Sequence, residues 1–528
     1  MLGQIYIIWE DDMKQISKTI ARITIVVFCA FVFFSFLWLK NSIWNLTFGE
    51  ILFHLLMPIE GAGIHILLSF KKNVLKNLIK FFIAYITIKL LLKKLPLKIK
   101  NHSLNLDQYS TKMDVLTAFI FLVISLKILI IDFKFYDYVK QNITYTDIYK
   151  QEYIDPMNVS FKFPEKKRNL ILIILESMET TFFAKEYGGA FDEDLIPELR
   201  KLAEENLHFS DTSSLGGTLQ IEGTNWTMSA IVGMTLGIPI VTTIDGFDVD
   251  WNGFDRYVNF KKTRFLPGII GLTDILGNAG YDQRFLIGSD KKFAGTDLFF
   301  STHGNVVIKD LNYFKNVGKI PKDYHVFWGF EDEKLYQFAK EELIDLSSSS
   351  KPFNLIVNTI DTHFPKGYLS ETCKKISHFD EQYKNVLSCA SKQLYAFITW
   401  IKKQPFYNNT TIVILGDHLF MDDGTFIPKN AKRRIYNVFI NTPIKPVKEK
   451  NRQFSTLDMF PTILDSINIQ YNSPGLGLGR SLFKDTPTLI EKYGYEKFNQ
   501  EVTKKSKEYI TFWKENKTSR IQVILHNK

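Results

Sequence analysis

Asn169-Leu170-Ile171-Leu172-Ile173-Ile174-Leu175, closing on Glu176-Ser177, is an apolar run bounded by polar residues. A run of this length without alternation reads as a strand buried on both faces, which a parallel sheet flanked by helices requires. Further along the chain, residues 195–206 (LIPELRKLAEEN) and 267–279 carry helical patterns. The second leads through Gly280 into a strand over 284–287, followed by Gly288-Ser289-Asp290. Residues 354–360 (NLIVNTI) read as a strand ending in Asp361-Thr362-His363, and 410–415 (TTIVIL) as one ending in Gly416-Asp417-His418. Strands alternating with helices predict an α/β domain with a largely parallel sheet.

Ligands of such sheets bind outside the carboxyl ends of the strands. Glu176, Asp361, His363, Asp417 and His418 all stand at predicted strand ends, so the fold class predicts one shared crevice. Singly, Glu176 reads first as a cap or solvated turn residue, and His363 equally as a polar residue satisfied near a turn. The consecutive Asp417-His418 pair, after a strand too apolar to need either, reads either as a metal-ligand pair or as a polar strand end.

A second informative stretch is Gly223-Thr224-Asn225-Trp226-Thr227-Met228-Ser229-Ala230-Ile231, continuing to Gly237-Ile238-Pro239. Gly, Thr and Asn favour a turn, and 228–236 then reads as an apolar helix. Thr227 would lie among the unpaired N–H groups and positive dipole end that attract anions. Alone, it reads either as a plain N-cap or as a hydroxyl nucleophile.

The chain has 528 residues, 45% of them hydrophobic, enough for a large soluble domain plus a membrane region. Residues 23–39 and 115–131 are apolar runs of spanning type, and 75–92 is a third that carries Lys76, Lys80 and Lys89. Lys14, Lys18 and Arg22 before the first run, and Lys93, Lys94, Lys98 and Lys100 after the 75–92 run, place those flanks in the cytoplasm and everything after Ile131 outside. Residues 51–70 hold Pro58, Glu60, Gly61 and Gly63, which suits an interfacial or re-entrant piece. The first run has no small-residue cleavage site after it and reads as an anchor. The net charge of +9 is spread among lysines without an Arg–aromatic stripe, so it suits anionic lipid and not nucleic acid. Cys373 and Cys389 form a candidate disulfide in the outer domain, the alternative being two unrelated thiols, and Cys29 lies in the first apolar run.

Six segments in one order carry a resemblance: LESMETTFF, GTNWTMSAIVGMTLGIPI, GLTDILGNAGYDQRFLIGSDKKFAGTDLFFSTHG, TIDTHFPKGYLS, VILGDH, and STLDMFPTILDSI followed by GLGRSLF. Over roughly residues 169–483 the chain resembles the alkaline phosphatase/sulfatase superfamily, specifically its membrane-anchored phosphoglycerol transferases of the periplasmic-glucan-modifying type. It is more distantly similar to lipoteichoic acid synthase. The resemblance implies Thr227 as nucleophile and Glu176, Thr227, Asp417 and His418 as ligands of one divalent cation, manganese or alternatively magnesium. It implies His363, Asn225 and Asp361 as substrate-binding residues. It also implies a phosphatidylglycerol donor, a glycan acceptor and a bacterial inner-membrane location with the catalytic domain facing the periplasm or cell exterior. Residues 287–297 lack the histidine, tryptophan and arginine that lipoteichoic acid synthase uses for glycerol, so acceptor preference does not transfer from that branch.

The expected organisation is a membrane region over 1–131 with about three transmembrane helices, a linker over 132–168, a sulfatase-like domain over 169–485 and a C-terminal extension over 486–528. Three rival functions are weighed. A sulfatase proper is disfavoured because Thr227 replaces the Cys or Ser that formylglycine formation needs. A phosphoethanolamine transferase is the second reading, set back by the presence of only two cysteines outside the membrane region. A non-catalytic envelope scaffold is disfavoured by retention of the whole implied ligand set.

Overall fold

The computed structural model describes residues 2–42, 46–58, 61, 64–94, 98–99, 102–103, 107–242, 264–304, 306–375, 377–422 and 424–514. Glu60, Gly63, Lys100 and residues 515–528 of the expected C-terminal extension lie outside them. The chain divides into two compact units, Met1–Phe48 with Gly63–Tyr138, and Gly49–Ala62 with Val139–Lys528.

In the first unit the helix Leu2–Ser42 packs with Asp107–Lys127, which continues into a π-helical turn over Ile128–Asp132. Phe33 and Phe34 meet Phe121 at ring-centroid distances of 5.1 and 6.1 Å. Among the described residues two helices, Met13–Ser42 and Ser110–Asp132, are long and apolar enough to cross a membrane, and most of each apolar stretch is unburied. Such extended apolar surface is stable in lipid and not in water, so this is a membrane protein.

The expected third span forms the helix Lys76–Lys94 but is too rich in lysine to pass the same test. Its lysines are not equivalent. Lys76 and Lys80 are exposed, whereas Lys89 is buried with Nζ 2.8 and 2.7 Å from the two carboxylate oxygens of Asp114. Pairing with Asp114 offsets part of the cost of burying the Lys89 charge.

The second unit is built on a six-stranded sheet. We number its strands β1 (Asn169–Leu175), β2 (Asp282–Ile287), β3 (Val307–Lys309), β4 (Phe353–Asn358), β5 (Thr410–Gly416) and β6 (Asn437–Ile440). The order across the sheet is β3-β2-β4-β1-β5-β6, parallel except for antiparallel β6. Every residue of β1, β4 and β5 is buried, as continuous apolar runs covered by helices on both faces should be. Ile174 pairs with Asn358 and Leu175 with Gly416, so β4, β1 and β5 finish level and present their next residues side by side.

Two stretches read from sequence as peripheral are part of this unit. Most of the expected linker is folded: Tyr149 is buried and donates to the Val502 carbonyl at 2.6 Å, and Arg480 Nη2 lies 3.1 Å from Glu152 Oε2. Through these contacts the stretch before β1 closes against the end of the expected sulfatase-like domain and against the C-terminal extension. The helix Phe48–Leu56 brings residues 49–56 into the same unit, with Phe53 fully buried beside Trp226 at 5.3 Å. An apolar helix face looks alike in sequence whether lipid or protein covers it.

Candidate active site

Glu176 directly follows β1, and Ser177 turns the chain at φ 52°, a conformation uncommon outside glycine. The turn is fixed by two contacts: Ser177 N–H donates to Asp417 Oδ1 at 2.7 Å, and Ser177 Oγ donates to Glu176 Oε1 at 2.7 Å. On the neighbouring strand end, Asp417 N–H donates to the Leu175 carbonyl at 3.1 Å. Gly416 makes this approach feasible, since a Cβ there would stand 2.1 Å from the Met178 carbonyl oxygen.

His418 completes the group. Its Nδ1 faces the Leu419 carbonyl at 2.9 Å, which makes Nδ1 the protonated nitrogen and leaves Nε2 pointing at the carboxylates. Nε2 lies 3.5 Å from Glu176 Oε1 and 3.4 Å from Asp417 Oδ2. One ligand atom from each of Glu176, Asp417 and His418 falls within 4.8 Å of the other two, and all three side chains are buried. Asp417 Oδ2 is a buried oxygen that accepts no hydrogen bond from the described residues.

The electrostatics describe a site short of positive charge. Burial pushes Asp417 up, and the Glu176 carboxylate pushes it further, to about 7. His418 is raised despite burial, which lowers it, because Asp417 and Glu176 outweigh that cost. Glu176 is held below its usual range: burial raises it, but His363 and His418 and the hydroxyls of Ser177 and Thr227 prevail. Two buried carboxylates, an imidazole with a free Nε2 and an unsatisfied carboxylate oxygen form an oxygen-rich donor set that fits a divalent cation.

Thr227 is the first residue of the helix Thr227–Leu236, whose N-cap is Trp226. Ser229 serves that end instead: Trp226 N–H donates to Ser229 Oγ at 3.1 Å, and Ser229 Oγ donates to the Trp226 carbonyl at 2.7 Å. The Thr227 hydroxyl is therefore not spent on capping. It donates to Glu176 Oε2 at 3.1 Å, half-buried at the edge of the buried group. Two residues earlier, Asn225 Oδ1 accepts from Gly223 N–H at 3.1 Å and Asn225 Nδ2 donates to Glu50.

His363 follows β4, half-buried, with its ring 4.7 Å from that of Trp328 and its charge acting on Glu176. Asp361 is placed differently from the others. It is buried, its Oδ2 accepts from Asp332 N–H at 3.1 Å, and Asp332 in turn accepts from the N–H groups of Ile360 and Asp361. The pair joins the end of β4 to the start of the helix Asp332–Ser347, and both carboxyls are raised, chiefly by burial. Thr227, Glu176, Asp417 and His418 thus meet through direct contacts and His363 through charge, while Asp361 is tied to Asp332. Cys373 and Cys389 form a disulfide between the helices Glu371–Lys374 and Gln382–Lys402, and Cys29 is free.

Sequence reading missed Ser177, Ser229 and Glu50. Ser229 stands three residues after the cap, as a capping partner does; Glu50 is an acidic residue at the head of an apolar helix, an unusual place for one unless it has a partner.

Residues 168–469 match the family model described as Sulfatase. The chain belongs to the sulfatase family. The matched stretch of this sulfatase-family chain runs from the start of β1 past β6 and holds Glu176, Thr227, His363, Asp417 and His418, but not Glu50. The chain is 34% identical over 323 residues to phosphoglycerol transferase I of Escherichia coli (strain 55989 / EAEC), covering 60% of this chain and 39% of that protein. The match therefore spans about two fifths of the curated relative's length. Among solved structures, it is similar to an alkaline phosphatase superfamily protein from Vibrio parahaemolyticus, with 24% identity, a TM-score of 0.46 and coverage of 60% of this chain and 72% of that one. It is also similar to the lipoteichoic acid synthase LtaP from Listeria monocytogenes, with 18% identity, a TM-score of 0.45 and coverage of 62% and 79%.

Proposed function

We propose that this protein is a metal-dependent phosphoglycerol transferase that moves glycerophosphate from phosphatidylglycerol to a hydroxyl of an envelope glycan through a phospho-Thr227 intermediate. The observation that carries the reading is the Thr227 hydroxyl, not used for capping and hydrogen-bonded to Glu176 at the edge of the carboxylate–imidazole group. The 34% identity to phosphoglycerol transferase I over 60% of the chain supports the choice of headgroup.

In the first half-reaction, Thr227 Oγ forms a bond to phosphorus and the bond from phosphorus to the diacylglycerol oxygen breaks. The Thr227 proton ends on that oxygen, giving free diacylglycerol. In the second, a glycan hydroxyl oxygen attacks phosphorus, the bond to Thr227 Oγ breaks and the acceptor's proton returns to Thr227. Glu176, Asp417, His418 and the Thr227 oxygen are the proposed holders of one divalent cation, manganese or alternatively magnesium. When bound, that ion lowers the cost of removing the Thr227 proton and offsets charge on the phosphoryl oxygens. Glu176 accepts from the Thr227 hydroxyl and so aims it. His363 and Asn225, both half-buried, contact the phosphoryl group, and Asp361, whose Oδ1 accepts no hydrogen bond from the described residues, is the third proposed substrate-binding residue. Anchoring in the bacterial inner membrane by several helices, with the catalytic domain on the outer side, keeps the site near its lipid donor and raises the donor's effective concentration.

The test incubates the full chain with manganese and either headgroup-labelled phosphatidylglycerol or phosphatidylethanolamine. Diacylglycerol release from phosphatidylglycerol is expected. Release from phosphatidylethanolamine alone would replace the reading with a phosphoethanolamine transferase.

A further inference from the structure

We infer that Glu50, which lies outside the stretch shared with the family, is a positioning residue of this active site, holding the Asn225 amide in the orientation that serves the phosphoryl group at Thr227. The inference rests on the function proposed above. The helix Phe48–Leu56 places Glu50, Phe53 and His54 at i, i+3 and i+4, on one face. That face is anchored in the second unit. Phe53 is fully buried, 5.3 Å from Trp226 and 6.4 Å from Phe265, and His54 stacks on Phe293 at 5.9 Å. At the end of the segment Met57 is buried, its sulfur 3.3 Å from where a Cβ on Gly295 would stand.

Seated this way, the Glu50 carboxyl is 5% exposed and accepts a hydrogen bond from Asn225 Nδ2, while Asn225 Oδ1 accepts from Gly223 N–H at 3.1 Å. An ionised carboxylate only accepts and a backbone N–H only donates, so the two ends of the amide cannot be exchanged. Glu50 and Gly223 together thus decide which way Asn225 points, with a charge-assisted bond on the nitrogen side. Asn225 Nδ2 has a second hydrogen, which we assign to a phosphoryl oxygen on Thr227, two residues away.

The test uses the full-length, manganese-loaded chain with Glu50→Ala, Glu50→Gln, Asn225→Ala and the Glu50→Ala/Asn225→Ala double variant. Two substrates are followed, labelled phosphatidylglycerol and bis-p-nitrophenyl phosphate, a diester that does not depend on the lipid assignment. Glu50→Ala should lower kcat roughly 10- to 100-fold with KM changed less than about threefold, as loss of an oriented transition-state donor does. Glu50→Gln, whose carbonyl still accepts from Asn225, should recover to within about fivefold of wild type, and the double variant should be no worse than Asn225→Ala. Manganese affinity should stay within about twofold, since Glu50 is not a ligand. A double-mutant cycle in melting temperature, which needs no turnover, should be non-additive in the same way.

Glu50→Ala activity within twofold of wild type, additive losses in either cycle, or a Gln variant as impaired as Ala would overturn the role. Turnover of the aryl diester without release from phosphatidylglycerol would instead count against the donor assignment and leave the Glu50 series decided on the aryl substrate.

Discussion

The Thr227 hydroxyl and Glu176 Oε2, 51 positions apart in sequence, meet at 3.1 Å where the start of one helix faces the end of β1. Because Ser229 takes over the capping of that helix, the hydroxyl is left to the carboxylate. Replacing Thr227 with Ala should abolish diacylglycerol release, a loss of at least ~10³-fold of the kind seen when a nucleophile is removed. Thr227→Ser should keep measurable release, because an oxygen remains at the same place.

Cation binding should depend on the three buried groups together. Asp417→Asn and His418→Ala should each weaken manganese binding by at least ~10-fold, read by calorimetry on the metal-stripped chain. Saturating manganese should raise the melting temperature of wild type, since a ligand at 100 times its Kd stabilises by about 2.7 kcal/mol, and should leave Asp417→Asn nearly unmoved.

Gly416→Ala tests how closely the strand ends must approach. A Cβ at 416 would stand 2.1 Å from the Met178 carbonyl oxygen, so the strand end carrying Asp417 must shift. The variant should lose about 1–3 kcal/mol in denaturant unfolding, as overpacked sites do, and bind manganese more weakly than wild type.

Asp458 gives a pH prediction outside the metal group. Burial raises this carboxyl to about 6, although it accepts from the N–H groups of Ser455 and Arg480 and lies near the Arg480 charge. A folded value above the unfolded ~3.9 means that the folded chain binds the proton more tightly. This contribution to stability is fully present below pH ~4 and is lost as pH rises through about 6. Asp458→Asn does not titrate, so its stability relative to wild type should improve by about 1–3 kcal/mol between pH 4 and pH 7, measured by urea unfolding at both.

The Cys373–Cys389 disulfide closes a loop of separation 16. Reduction, or the Cys373→Ser/Cys389→Ser variant, should cost about 3 kcal/mol by chain entropy and lower the melting temperature without changing manganese affinity.

What sequence reading captured, and what it missed, follows from the kind of signal each element leaves. β1, β4 and β5 were legible because strands buried on both faces need unbroken apolar runs, and their polar endings marked Glu176, His363 and Asp417-His418. β3 and β6 were not, being three and four residues long, too short for a period to register. The role of the Thr227 hydroxyl turned on a contact between Trp226 and Ser229 that residue preference alone does not reveal. Asp361 shares its turn with His363, and its Oδ2 accepts from the N–H of Asp332, 29 positions earlier at the start of a helix, a contact that residue preference does not reveal. Glu50 was the hardest to see, because its helix carries the composition of a membrane segment while Phe53 and Met57 are buried in the second unit.

The phospho-Thr227 intermediate is tested most directly by mass spectrometry of the full chain, acid-quenched during turnover of phosphatidylglycerol with manganese and no glycan acceptor. The peptide containing Thr227 should gain one glycerophosphate, the modification should map to Thr227, and adding a glycan acceptor should discharge it. Diacylglycerol release at the wild-type rate with Thr227 unmodified, or undiminished in Thr227→Ala, would contradict that intermediate.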